Sequence, residues 1–167
     1  MTLAPRGFLL ALALAGCEQP GPAPSSAAST TGPDAAAVAA DAKEEAERAA
    51  VTAAIAKLPA PYNGADYDNG KKVFQQCRAC HLIEAGAGNS VGPNLHGVFG
   101  RSAGAVKDFD YSDSLKKSGI VWNAANLDQW LAQPQTFVPN TRMTFLGVKK
   151  PNDRRDVIAY VEVEQAR

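Results

Sequence analysis

The chain has 167 residues, and its 17 Lys and Arg balance 17 Asp and Glu to a formal charge of zero. That balance argues against a nucleic-acid binder and against strong nonspecific attraction to anionic lipid. Beyond Cys77, Cys80 and His81 the chain offers only Cys17 and His96 as further thiol or imidazole, which argues against a zinc centre.

Arg6 gives a short basic start, and Phe8 to Ala15 is an apolar run far shorter than the roughly 20 residues of a spanning helix. Residues 1–16 therefore read as a secretory signal peptide. The run ends in Leu14-Ala15-Gly16-Cys17, which resembles a bacterial lipoprotein lipobox. Cleavage before Cys17 and a diacylglycerol on its sulfur are expected, with an ordinary signal cleavage nearby as the alternative. An unpaired thiol in an exported protein would be reactive, and acylation removes it. Residues 17–33 are rich in Pro, Gly, Ser and Ala and read as a flexible tether carrying the lipidated Cys17. Residues 34–60 form an Ala/Glu-rich spacer. Asp34 is a candidate N-cap there, Glu44 and Arg48 are spaced as an i,i+4 pair, and Pro59 is a stop. Val51, Ile55 and Leu58 make only a thin apolar edge, so a solvated spacer helix is expected in preference to a packed one, with a disordered segment as the other alternative.

The remaining residues, 61–167, read as one folded domain without internal repeats. A helix is expected from Tyr67 to Ala79, with Gly70 and Phe74 on one face and Gly70 allowing close backbone approach. It leads into Cys77-Arg78-Ala79-Cys80-His81, where two thiols on one turn can each add across a vinyl group of the same haem and the histidine can serve as proximal ligand. A thioredoxin-like pair would want a βαβ context. Covalent haem c, attached through Cys77 and Cys80, is the reading.

A sixth ligand is then sought among few residues. Met1 belongs to the leader, which leaves Met143 in a Pro-bearing loop, with His96 as its competitor. His96 follows His81 closely, within a Gly/Pro-punctuated segment expected to hug the proximal side. Met143 is preferred on that ground. Shorter helices are expected at Ser112–Ser118, stopped by Gly119, and at Asn123–Gln133, ended by Pro134. A last helix, capped by Asn152, should run to Gln165 with Val157, Tyr160 and Val161 on its apolar side.

These motifs stand in the order and spacing of a known family. Cys77-x-x-Cys80-His81, Gly92-Pro93-Asn94-Leu95-His96-Gly97, Arg101, Phe109-x-Tyr111, Gly119-Ile120-Val121-Trp122, Pro139-x-Thr141-x-Met143-x-Phe145 and Val157-Ile158-Ala159-Tyr160 together resemble the class I cytochromes c, especially the mitochondrial-type members and their bacterial relatives. The resemblance implies an all-α fold whose helices wrap one covalently bound haem, crossing terminal helices, and His81/Met143 ligation of the iron. It further implies that the Pro93 carbonyl accepts from the His81 ring, that Arg101, Tyr111 and Trp122 donate to the haem propionates, that Thr141 orders the methionine loop, and that Phe145 covers the haem edge.

The departures are informative. Trp130 stands where mitochondrial-type members have a tyrosine touching the methionine sulfur, and Leu115 replaces a buried asparagine. Gln76, Gln135 and Thr136 fall where the docking face carries lysines, although Lys71, Lys72, Arg78, Arg142, Lys149 and Lys150 lie in segments the family places around the haem edge. With the lipobox, the resemblance implies a monomeric, lipid-anchored, periplasm-facing electron carrier and not an enzyme. The expected donor is a quinol–cytochrome c reductase, and the expected acceptor a terminal oxidase or photosynthetic reaction centre. Permanent membership of one oxidase or dehydrogenase complex is the alternative. A haem peroxidase or gas-binding protein would need an open sixth position, against which Met143 argues.

Overall fold

The computed structural model describes residues 35–167. The expected signal peptide and tether, with Cys17 and Asp34, lie outside the described residues. Among the described residues the regular structure is helical: α1 (Ala35–Ala56), a 3-10 turn (Tyr62–Gly64), α2 (Tyr67–Arg78), α3 (Asp113–Lys116), α4 (Ala124–Ala132), α5 (Pro134–Phe137) and α6 (Pro151–Glu164). A single antiparallel bridge, Ser102 with Val121, stands in place of any sheet among the described residues.

The organising contact is the crossing of α2 and α6. Gly70 makes it possible, since a Cβ there would lie 2.8 Å from Tyr160 Cβ and closer still to the Asp156 carbonyl. Around that point Phe74 is fully buried, with Tyr160 at 5.1 Å between ring centroids. Asp66 caps α2, its carboxylate accepting from Asn69 N at 2.9 Å. The buried Asp156 carboxylate accepts from Asp66 N at 3.1 Å, Asn69 Nδ2 at 2.8 Å and Arg155 Nη2 at 2.6 Å. A charge is tolerated at the crossing because its oxygens are satisfied there.

Helix α6 starts one residue before the expected cap. Pro151 occupies its first position, with Lys150 at the cap and no capping side chain, because a proline's fixed φ and missing N–H suit the first turn. Arg154 secures this end, donating to Asp128 on α4 at 2.8 Å and to the Val148 carbonyl at 3.0 Å. Pro134 ends one helix as expected and also opens α5 as its first residue. Asn123 and Asn126 form a reciprocal capping box on α4. Ser112 caps α3, and Gly119 turns the chain beyond it at φ 68°.

Residues 35–50 of α1 are all exposed, but the end of the helix is packed, where a solvated helix was expected throughout. There Val51 and Ile55 are buried in a cluster with Tyr62, Ile158, Ala159 and Val163. The reason lies in α6, which is apolar on two sides. Val157, Tyr160 and Val161 join the main core, leaving Ile158, Ala159 and Val163 to be covered from elsewhere. The thin edge of α1 covers them, and Arg167 adds an ion pair to Glu47 at 2.5 Å.

Gly70→Ala should drive α2 and α6 apart. A loss of about 1–3 kcal/mol, the usual cost of overpacking, is expected in guanidinium unfolding of the purified protein. An unchanged midpoint would show that the crossing tolerates a side chain.

Candidate functional site

Helix α2 delivers the thiol-bearing motif to the site. Beyond Arg78 the chain tightens, with Cys80 N and His81 N both donating to the Cys77 carbonyl, at 3.0 and 2.8 Å. Cys77, Cys80 and His81 consequently line a single cavity of about 430 Å³. Both thiols are free. Burial, with a smaller contribution from the neighbouring Cys80, pushes the Cys77 thiol up to about 11, while Cys80 itself is exposed.

His81 is held on two sides. Its Nδ1–H donates to the Pro93 carbonyl at 2.8 Å, which leaves Nε2 as the atom with a free lone pair. Burial lowers the ring's pKa, partly countered by the Pro93 bond, so the imidazole is neutral at neutral pH and able to bind a metal. Gly92 presses against the ring, where a Cβ would sit 2.6 Å from Nδ1 and 2.8 Å from Nε2. Gly92 N donates to the Cys80 carbonyl and Leu95 N to the Leu82 carbonyl, each at 2.7 Å, lacing this segment to the motif. Gly92 is a site residue to which sequence reasoning gave no role, and the glycine preceding Pro93 was the available signal.

The other expected residues are placed as follows. Arg101, Tyr111, Trp122, Trp130, Thr141, Met143 and Phe145 all line the same cavity, as does Pro93. Tyr111, Trp122, Trp130 and Thr141 are buried. Trp122 and Trp130 are 5.5 Å apart between centroids, and Phe109 meets Tyr111 edge-on at 4.8 Å. Burial raises the Tyr111 hydroxyl's pKa and lowers that of Arg101. Arg101 has a further task, donating to the His96 and Asn94 carbonyls, both at 2.9 Å, and so bracing the loop that carries Pro93. Leu115 is part of the cavity wall, whereas His96 is not among the lining residues. Between the two candidates for a sixth ligand, Met143 is therefore the one at the cavity. Cys17 lies outside the described residues.

This donor set suits a haem. Two thiols stand beside an imidazole with its Nδ1 already committed, a residue bearing a thioether lines the same cavity, and its largely apolar lining includes Arg101, Tyr111 and Trp122, side chains that have donors suited to acidic substituents. Cys77 and Cys80 would hold it covalently, with His81 and Met143 as iron ligands.

A family model described as cytochrome c matches residues 67–163. Cytochrome c 2.1 of Caenorhabditis elegans is 46% identical over 103 residues, covering 61% of this chain and 92% of that protein. Cytochrome c2 of Rhodomicrobium vannielii is 40% identical over 119 residues, 71% of this chain and 95% of that protein. Among solved structures, cytochrome cH from Methylobacterium extorquens is 45% identical with a TM-score of 0.56, covering 59% of this chain and 99% of that one.

Met143→Ala should convert the ferric haem-bearing protein from low spin to partly high spin, lower its reduction potential and admit external ligands, whereas His96→Ala should leave the spectrum unchanged. A spectrum that responds to His96→Ala and not to Met143→Ala would exchange their roles.

Proposed function

The chain belongs to the cytochrome c family, electron carriers with covalently bound haem c, and we propose that it carries one haem and works attached to the periplasmic face of a membrane through a lipid on Cys17. In this proposal it takes electrons from a quinol–cytochrome c reductase and passes them to a terminal oxidase or a photosynthetic reaction centre.

The observation that carries the carrier reading is the meeting of His81 and Met143 at one cavity. Bound haem supplies a one-electron iron couple there, and a thioether ligand favours the ferrous form more than a second imidazole does. The chain's own residues keep that couple in place. Pro93 fixes the imidazole, Arg101 braces the Pro93 loop, and Trp122, Trp130 and Leu115 supply apolar wall. A thioether in the sixth position supports transfer over peroxidase chemistry, which needs that position open.

Attachment through Cys17 is supported by the Leu14-Ala15-Gly16-Cys17 sequence. No helix among the described residues is long and apolar enough to cross a membrane. More than one acyl chain gives stable anchoring, at about 0.8 kcal/mol per buried methylene. The exposed part of α1, residues 35–50, would then stand between anchor and haem domain as a spacer of about 24 Å at ~1.5 Å per residue. Such a link holds a carrier near its partners at an effective concentration on the order of millimolar. That would offset the uncharged Gln76, Gln135 and Thr136 on the expected docking face.

Cys17→Ser should release the protein from washed membranes with its haem spectrum intact, and mass spectrometry should find a diacylated Cys17 at the mature N-terminus of the unsubstituted protein. An unmodified N-terminal peptide starting elsewhere would overturn the anchor.

A further inference from the structure

Met143 lies in a stretch without a ladder of its own. From Thr141 to Lys149 the chain forms neither helix nor strand, and Asn140 enters it in the left-handed region at φ 62°. Val148 N donates to the Leu131 carbonyl at 2.7 Å, and other backbone groups of the segment are met by side chains. Two of the side-chain contacts are local or exposed. Arg142 pairs with the Asp110 carboxylate and donates to the Asp110 carbonyl at 3.0 Å, and Met143 N approaches Thr141 Oγ1 at 3.4 Å.

A different contact reaches the methionine's own backbone. Gln135 Nε2 donates to the Thr141 carbonyl at 3.0 Å and to the Met143 carbonyl at 3.1 Å. One amide group thus uses both its hydrogens on two carbonyls of the loop, and one of these belongs to the ligand residue itself. The place of Gln135 is fixed in turn. It follows Pro134, which is buried at the first position of α5, and Val138 N closes that turn on the Pro134 carbonyl at 2.9 Å.

We propose that Gln135 is a positioning residue for Met143: its paired hydrogen bonds tie the methionine loop to α5 and so set how readily the sixth position is yielded to an external ligand. The inference rests on Met143 being that ligand. A carboxamide suits the task because both groups facing it are acceptors. A carboxylate of the same size would present only acceptors and a negative charge to the same two carbonyl oxygens. Gln135 is an exposed residue, so its substitution changes the loop's attachment without opening the core.

The test is an imidazole titration of the ferric haem-bearing protein, with Gln135→Glu, Gln135→Leu and Met143→Ala measured beside the unsubstituted chain. External imidazole reports the fraction of molecules in which the methionine has left, because apparent affinity scales with the binding-competent population. Gln135→Glu should bind imidazole about five- to tenfold more tightly, as loss of two hydrogen bonds to a partly exposed group allows. Gln135→Leu should show a smaller increase and Met143→Ala the largest, while the guanidinium midpoints of both Gln135 variants stay near that of the unsubstituted protein. Unchanged imidazole affinity in both Gln135 variants, with Met143→Ala raised, would overturn the positioning role and leave the ligand assignment standing. If Met143→Ala is also silent, the ligand assignment falls and this inference falls with it.

Discussion

The hydrogen bond from His81 Nδ1 to the Pro93 carbonyl is the contact on which the site depends. It selects the tautomer, commits one ring nitrogen and leaves the other for metal, and it forms only if the ring lies against a backbone with no side chain in the way. Gly92 provides that backbone. The ring reaches this position because the turn after α2 folds back on the Cys77 carbonyl, and α2 is itself located by the close approach of Gly70 to α6. Two glycines thus set the frame, one placing the helix and the other the imidazole.

The loop that supplies Pro93 is braced by side chains. Arg101 ties down the carbonyls of Asn94 and His96, Asn94 Nδ2 donates to the Glu84 carbonyl at 3.0 Å, and Asn89 Oδ1 accepts from Asn94 N at 3.0 Å. A loop fixed in this way would hold its carbonyl still as the charge on a bound iron changed by one. On the Met143 side Gln135, Arg142 and Thr141 perform the corresponding task from α5 and the chain itself. A cavity held from both sides by hydrogen-bonded loops has few ways to rearrange, which suits an electron carrier.

Much of this was legible in the sequence, because thiols, imidazole and thioether are so scarce in it. The Cys77–His81 motif, the placing of Met143 at the cavity ahead of His96, the close approach at Gly70 and the rough positions of the short helices follow from residue type, spacing and punctuation, and the crossing of the terminal helices from the family resemblance. Contacts between distant segments did not follow. The apolar edge of α1 looked too thin to pack, because nothing local indicates that α6 carries a second apolar side in Ile158, Ala159 and Val163. Asn152 looked like the cap of α6 since it is a good capping residue, yet the adjacent Pro151 is better suited to the first turn and moves the helix start. Asp156 gave no sign that it would be buried at a helix crossing, because two of the residues satisfying it, Asp66 and Asn69, come from the start of α2, distant in sequence. Gln135 could be read only as a missing lysine, since its two acceptors are backbone carbonyls, which sequence does not display.

The central claim, that Met143 and His81 act on one haem, is tested most directly by proton NMR of the ferrous protein carrying a 13C label in its methionine methyls. Met1 belongs to the expected leader, so the mature chain should give a single labelled resonance, from Met143. This methyl should resonate far upfield of ordinary methionine methyls, displaced by the ring current of the haem it caps. A methyl in its ordinary position would contradict the account.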